Sequence, residues 1–395
     1  MTQQMNTLLD RSPAAWQSIG GLDTAEEIHH QPTLWRAFAA ALATHRERVD
    51  AFLGDWLSQP GHRVLLTGAG SSAFVGQIVA DELDRSGPAE VRAIATTSLL
   101  THPELYLDAA RPTLLVSFAR SGNSPESLGA VELLRRKVPG ARFLNITCNA
   151  DGALAREALG HADSLSVLMP DGSCDRGFAM TSSFSCMLLA ALALLGRTGT
   201  QEAARRIELV AALAETALAE WSRPIAALAA RPLGRIVYLG SGPLEALARE
   251  AALKVLELSS GRALALADTA LGFRHGPKSM LDDNSLVLLL RSAKPLAQRY
   301  EQDLLEELRR DGVAAQCLSI GPRIDASPTD IEFAATLPAD AALPDTWLAP
   351  LWLVAAQLFA LNKSAALGLT PDSPFPDGTV NRVVQGVTIH AASAG

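Results

Sequence analysis

HRVLLTGAGSS, residues 62–72, returns as GRIVYLGSGPL at residues 234–244, and the reading of that pair decides the fold. In each copy a short apolar run ends in Gly-x-Gly and passes into an alanine-rich stretch of helical periodicity, SAFVGQIVADELD in the first and PLEALAREAALKVLEL in the second. Arg63 and Arg235 are 235 − 63 = 172 residues apart. TLLVSFARSGNSPES, from Thr113, answers to SLVLLLRSAKPLAQR, from Ser285, at the same offset, 285 − 113 = 172. A third strand follows in each copy, RFLNITC (Arg142–Cys148) and AAQCLSI (Ala314–Ile320). Strands alternating with helices predict βαβ units, and hence an α/β fold with a doubly wound parallel sheet flanked by helices in each copy, a three-layer α-β-α sandwich.

Outward from the two copies, the expected organisation is an N-terminal helical arm (residues 1–44), a first domain (45–205), a second domain (218–365) and a C-terminal tail (366–395) closing over the site. QEAARRIELVAALAETALAEW reads as a helix connecting the domains, and Thr24 with Glu27 has the spacing of a capping box. A length of 395 residues suits two domains, and 48% hydrophobic with 19% charged residues is a globular composition. The formal net charge of −8 argues against a nucleic-acid or anionic membrane partner, so an anionic ligand would be held locally. MTQQMNTLLDRSP has neither a basic nor an apolar leader region, which predicts a cytoplasmic protein. The uncharged stretch Thr346–Asn362 contains Pro350 and Gln357, falls short of a membrane span and reads as a buried helix. Four scattered cysteines fit reduced thiols, and neither they nor the eight histidines show a metal-binding spacing, so no metal or organic cofactor is called for.

SFARSGNSPES, Ser117–Ser127, carries the first chemical signal. An apolar strand feeds a serine- and glycine-rich loop into a helix, with Ser124 as N-cap and Pro125 at the first helical position. Main-chain N–H groups, hydroxyls and the helix dipole then converge on one spot that favours an anion, and Arg120 adds a planar donor fork suited to phosphate oxygens. An ordinary capped turn is the plain alternative. GAGSSA, Gly68–Ala73, also satisfies the dinucleotide pattern G-x-G-x-x-G/A. The acidic residue that should hold a ribose hydroxyl about twenty residues on is missing, because VRAIAT leads into Thr97 and Ser98. Ser71 and Ser72, one strand away from the other serine-rich loop, suit a phosphomonoester better.

GAGSSAF, SFARSGNSPES, ALKVLELSSG and GFRHGPKS resemble the tandem sugar-isomerase (SIS) domains of the phosphosugar isomerases. EEIHHQP, TSLLTHPELYL, LNITCNADGAL, LMPDGSCDRGFAMTSS and DGTVNRVVQGV are similar to one branch of them, the AgaS family of galactosamine-6-phosphate deaminase/isomerases, also described as tagatose-6-phosphate ketose/aldose isomerases. The resemblance spans nearly the whole chain. It implies a phosphate cradle of Ser71, Ser72, Ser121 and Ser124, with Arg120 where the glucosamine-6-phosphate synthases have glutamine. Gly70, Arg176, Met180 and Thr181 are implied as sugar contacts, although a capped helix start accounts equally for the last three. Glu257 matches the family's catalytic glutamate, which would move a proton between C2 and C1, and Lys254 would orient it; at their i, i+3 and i+4 spacing, Glu250, Lys254 and Glu257 otherwise read as a solvated salt-bridge face. His275 matches the histidine that assists ring opening on a loop shared between subunits, which implies a homodimer with a shared active site. The synthases carry a lysine in the tail where this chain has Gln385, a side chain that cannot form a Schiff base.

The implied activity is deamination and isomerisation of a small-molecule hexosamine phosphate, most specifically galactosamine 6-phosphate to tagatose 6-phosphate and ammonia. A plain aldose-ketose isomerase and a non-catalytic phosphosugar sensor are the alternatives; retention of Glu257 and His275 without an added basic domain speaks against the sensor.

Overall fold

The computed structural model describes residues 7–323, 332–338, 342–384 and 386–390. Among the described residues ten strands form two parallel five-stranded sheets. The first comprises β1 (Arg63–Thr67), β2 (Glu90–Ala93), β3 (Thr113–Ala119), β4 (Arg142–Thr147) and β5 (Ser164–Leu168), in the order β2-β1-β3-β4-β5. The second comprises β6 (Arg235–Leu239), β7 (Leu264–Asp268), β8 (Ser285–Leu290), β9 (Gln316–Arg323) and β10 (Phe333–Thr336), in the order β7-β6-β8-β9-β10. The two orders are the same, and so is the register at their centres: Arg63 lies opposite Thr113 and Arg235 opposite Ser285. The central strands are buried along their length, as parallel strands covered by helices on both faces must be.

Glycine shapes the exit from each first strand. Gly70 (φ 55°, ψ −130°) and Gly242 (φ 58°, ψ −129°) cap the Ser71–Asp84 and Pro243–Leu258 helices in the same positive-φ conformation. A Cβ on Gly68 would lie 2.6 Å from the carbonyl carbon of Ser72, and one on Gly240 2.2 Å from the carbonyl oxygen of Leu244, so only glycine lets strand and helix approach this closely.

The chain divides into two compact units. One holds the first sheet, with Thr33–Asp175, Ser182–Glu208 and the tail from Gly378; the other holds the second sheet, with the arm up to Pro32, Arg176–Thr181 and Leu209–Asp377. A fully buried helix lies in each, Ser182–Leu195 in the first-sheet unit and Asp345–Ala366 in the second, the latter buried from Asp345 to Ser364. Among the described residues no helix is long and apolar enough to cross a membrane. All four cysteines are free.

The capping box does not form. The Leu22–His29 helix has Gly21 as its N-cap, three residues ahead of Thr24. Its N-terminal amides are satisfied from far along the chain: Asp372 accepts the N–H groups of Asp23 (3.2 Å) and Thr24 (2.8 Å) and the Thr24 hydroxyl (2.6 Å). Glu27 is buried and instead accepts the main-chain N–H groups of Arg176 and Gly177. A distant carboxylate has replaced the local one, which frees Glu27 to fix another segment.

Candidate active site

In the first-sheet unit, β1 and β3 are neighbours whose connections leave in opposite directions. Their carboxyl ends therefore mark the topological switch point at which doubly wound sheets bind ligands. Two helix N-termini lie there, those of Ser71–Asp84 and Pro125–Lys137, each placing the positive end of its dipole at that edge. Ser71 and Ser72 form the first turn of one helix and are almost wholly buried. Arg120 is buried too, and its Nη2 donates to the carbonyl of Arg382 at 2.8 Å, so the tail helps to orient it. Ser121 Oγ accepts the Asn123 N–H at 3.3 Å, which leaves the hydroxyl proton able to donate to a ligand. Asn149 steadies the loop by donating to the Ser121 carbonyl at 2.9 Å, and Gly152 permits its close packing, since a Cβ there would meet the Ser121 carbonyl oxygen at 2.4 Å.

Ser124 has the other role its position offers. Its hydroxyl accepts the Ser127 N–H at 3.4 Å and donates to Ser127 Oγ at 2.7 Å, a cap on the helix that occupies its proton.

In the second-sheet unit, the Pro243–Leu258 helix presents a charged triad along one face. Lys254 Nζ lies 3.2 Å from Glu250 Oε1 and 2.6 Å from Glu257 Oε2. The spacing suggests a solvated face, yet Glu250 and Lys254 are wholly buried, and only the Glu257 side chain keeps 23% of its surface exposed. Burial works against the Lys254 charge, but the two carboxylates outweigh it and hold the ammonium above its ordinary pKa. Glu257 is thus the exposed end of a buried carboxylate–ammonium–carboxylate row. The turn after it contains Ser260 at φ 49°, unusual for a residue other than glycine, and Ser260 Oγ donates to the Pro374 carbonyl at 2.6 Å, tying the helix end to the segment that also carries Asp372.

His275 is exposed, on a short 3-10 turn, Gly272–His275, that is fixed on both sides. Arg274 pairs with Glu307 at 2.9 Å, and Lys278 with Glu307 and with Asp311, the latter at 2.6 Å, while Phe273 is buried in the core. The loop holds an accessible imidazole on a rigid base.

The structure also places the remaining candidates. Arg176 pairs with Asp23 (2.8 Å) and Glu26 (2.7 Å) on the Leu22–His29 helix, so its charge is engaged within the protein. Met180 is half-buried and Thr181 buried. Gln385 lies outside the described residues. Sequence reasoning missed the burial of Glu250, because the pattern that marks an exposed helical face and a buried charge row is the same. It also missed Asp175, which is fully buried and accepts the Ser182 and Ser183 N–H groups at 2.9 and 3.1 Å, capping the Ser182–Leu195 helix.

Comparison with known proteins places these features in a family. The SIS domain model matches residues 57–197. The chain is 44% identical over 383 residues to the D-galactosamine-6-phosphate deaminase AgaS of Escherichia coli, covering 96% of this chain and 98% of that one. It is 40% identical over 374 residues to the protein of the same name from Shewanella sp. strain ANA-3, covering 94% and 92%. The crystal structure of tagatose-6-phosphate ketose/aldose isomerase from Escherichia coli superposes with a TM-score of 0.84 at 39% identity, over 97% of this chain and 99% of that one. With two sheets of one topology, serine-lined loops at the first switch point and relatives matched along almost their whole length, the chain belongs to the AgaS family of SIS-domain proteins.

Proposed function

We propose that this protein converts galactosamine 6-phosphate and water to tagatose 6-phosphate and ammonia. The observation that carries the reading is the buried row Glu250–Lys254–Glu257, which ends in a partly exposed carboxylate. With the sugar ring open, C1 is an aldehyde and C2 carries the amine and the proton to be moved. Glu257 takes the C2 proton, giving an enolamine, and returns it to C1, giving a C2 imine; water adds to that imine and ammonia leaves, so atoms balance. A carboxylate can act in both directions only if it stays available as base and is reprotonated in turn. An ammonium 2.6 Å away holds it in place and offsets its charge while it is ionised.

The phosphate is assigned to the first switch point, with Ser71, Ser72, Ser121, Arg120 and the two helix N-termini as donors; Ser124 supports it as a cap. His275 is assigned to ring opening. Its exposure on a pinned loop suits a group that serves a neighbouring subunit, and the reading includes a homodimer with shared sites. Mixing the inactive variants Glu257→Gln and His275→Ala should then restore about a quarter of wild-type activity, because only one site of each mixed dimer is intact. No recovery after dissociation and reassociation would place both residues in one subunit's site.

Ammonia release from galactosamine 6-phosphate tests the activity itself, with tagatose 6-phosphate measured alongside. Release of both products in equal amounts supports the reading. Interconversion of tagatose 6-phosphate with an aldohexose 6-phosphate, without ammonia, would support the plain isomerase instead.

A further inference from the structure

The second sheet has its own switch point, between β6 and β8, and the Asp345 side chain reaches the loop that leaves it. The loop after β8 turns through Arg291, Ser292 and Ala293 into the Pro295–Asp311 helix. Asp345, the first residue of the Asp345–Ala366 helix, accepts the Ser292 hydroxyl at 2.5 Å and the Ala293 N–H at 2.6 Å. Glu301, from the Pro295–Asp311 helix, accepts the Ser292 N–H at 3.1 Å and lies 3.5 Å from the Arg291 guanidinium. Ser292 Oγ in turn accepts the Lys294 N–H at 3.0 Å. Arg291, Ser292, Glu301 and Asp345 are all more than nine-tenths buried.

These donors are the ones a phosphate would use: successive main-chain N–H groups, a serine hydroxyl and an arginine, all at the carboxyl edge of two adjacent strands. We propose that the second switch point is an anion site of phosphate class, permanently filled by the protein's own Asp345 carboxylate, with the Glu301 carboxyl beside it. The role of this tethered anion is positional. It fixes the N-terminus of the Asp345–Ala366 helix to the sheet, and that helix packs along the Pro243–Leu258 helix that carries Glu250, Lys254 and Glu257. One consequence is that this loop gains nothing from a substrate phosphate while Asp345 is in place. The inference rests on the second sheet alone and stands whether or not the deaminase reading holds.

Removing the tethered anion should open the site to a free one. Inorganic phosphate is titrated by calorimetry into wild-type protein, Asp345→Ala, and Asp345→Ala combined with Ser292→Ala. Asp345→Ala should take up one more equivalent of phosphate than wild type, and the added Ser292→Ala should abolish that gain. If Asp345→Ala does not fold in buffer, phosphate should restore its folded circular dichroism signal. A folded Asp345→Ala protein with wild-type stoichiometry, or an unfolded one that phosphate fails to rescue, would overturn the proposal.

Discussion

The loops after β3 and β8 leave the same position of the same sheet topology, yet they treat an anion in opposite ways. After β3 the chain continues Arg120-Ser121-Gly122-Asn123-Ser124, and Ser121 keeps a hydroxyl proton to donate. After β8 it continues Arg291-Ser292-Ala293-Lys294, and Ser292 gives its proton to Asp345. The preceding turns differ in the same sense: Gly68-Ala69-Gly70 leads into Ser71-Ser72, whereas Gly240-Ser241-Gly242 leads into Pro243-Leu244, which removes one N–H and both hydroxyls from the helix start. A shared backbone therefore supplies two arrangements, one proposed above to take a ligand phosphate and one that carries its own carboxylate. In the proposed reading the loop after β3 receives the substrate phosphate, whereas the loop after β8 is held by Asp345, whose helix packs along that of the charged triad.

The comparison breaks most visibly if the triad can lose its cation without harm. Lys254→Met should leave Glu250 wholly buried without its cation and cost about 3–5 kcal/mol of folding stability. Urea denaturation measures this, and a loss below about 1 kcal/mol would show that the row is not a buried charge network.

A second test uses Glu301. Burial foremost, with Asp345 adding to it, pushes its carboxyl up to about 7, against the opposing effects of the Ser292 N–H, Arg291 and the Ser241 hydroxyl. A carboxyl raised in the folded state favours folding while protonated, so its contribution is complete below the ordinary glutamate value and is lost as pH rises through about 7. The slope is at most about 1.4 kcal/mol per pH unit. The wild-type stability profile should fall relative to that of Glu301→Gln between about pH 4.5 and 7. Parallel profiles would mean that the Glu301 carboxyl is not perturbed.

The smallest effect separates the two kinds of serine. Ser121→Ala should raise KM about tenfold, the worth of one hydrogen bond to a charged group, with kcat also falling if phosphate binding supports the reacting carbons. Ser124→Ala should act first on stability, by about 1 kcal/mol as a lost cap. Equal effects of the two on KM would return Ser124 to the cradle.

Much of this was legible from local pattern. The 172-residue offset, the Gly-x-Gly turns and the Ser124-Pro125 helix start depend on residues close together in sequence, where backbone rules act directly. What escaped depends on distance. Asp345 reaches a loop 53 residues away, and Asp372 caps a helix that begins 350 residues earlier, displacing the capping box that the Thr24 and Glu27 spacing predicts. The charged spacing of Glu250, Lys254 and Glu257 carries no sign of whether water or a neighbouring helix covers it; the buried Asp345–Ala366 helix settles that, and its own apolar run was readable.

In the mechanism proposed above, Glu257 moves the C2 proton while the phosphate is held by other residues. Its most direct test is deuterium exchange at C2 of galactosamine 6-phosphate in D2O, followed by proton NMR on wild type and Glu257→Gln, with equilibrium binding of the same sugar phosphate measured on the variant. Binding should stay near wild type while exchange slows by about two to four orders of magnitude. Exchange at the wild-type rate in the variant would contradict it.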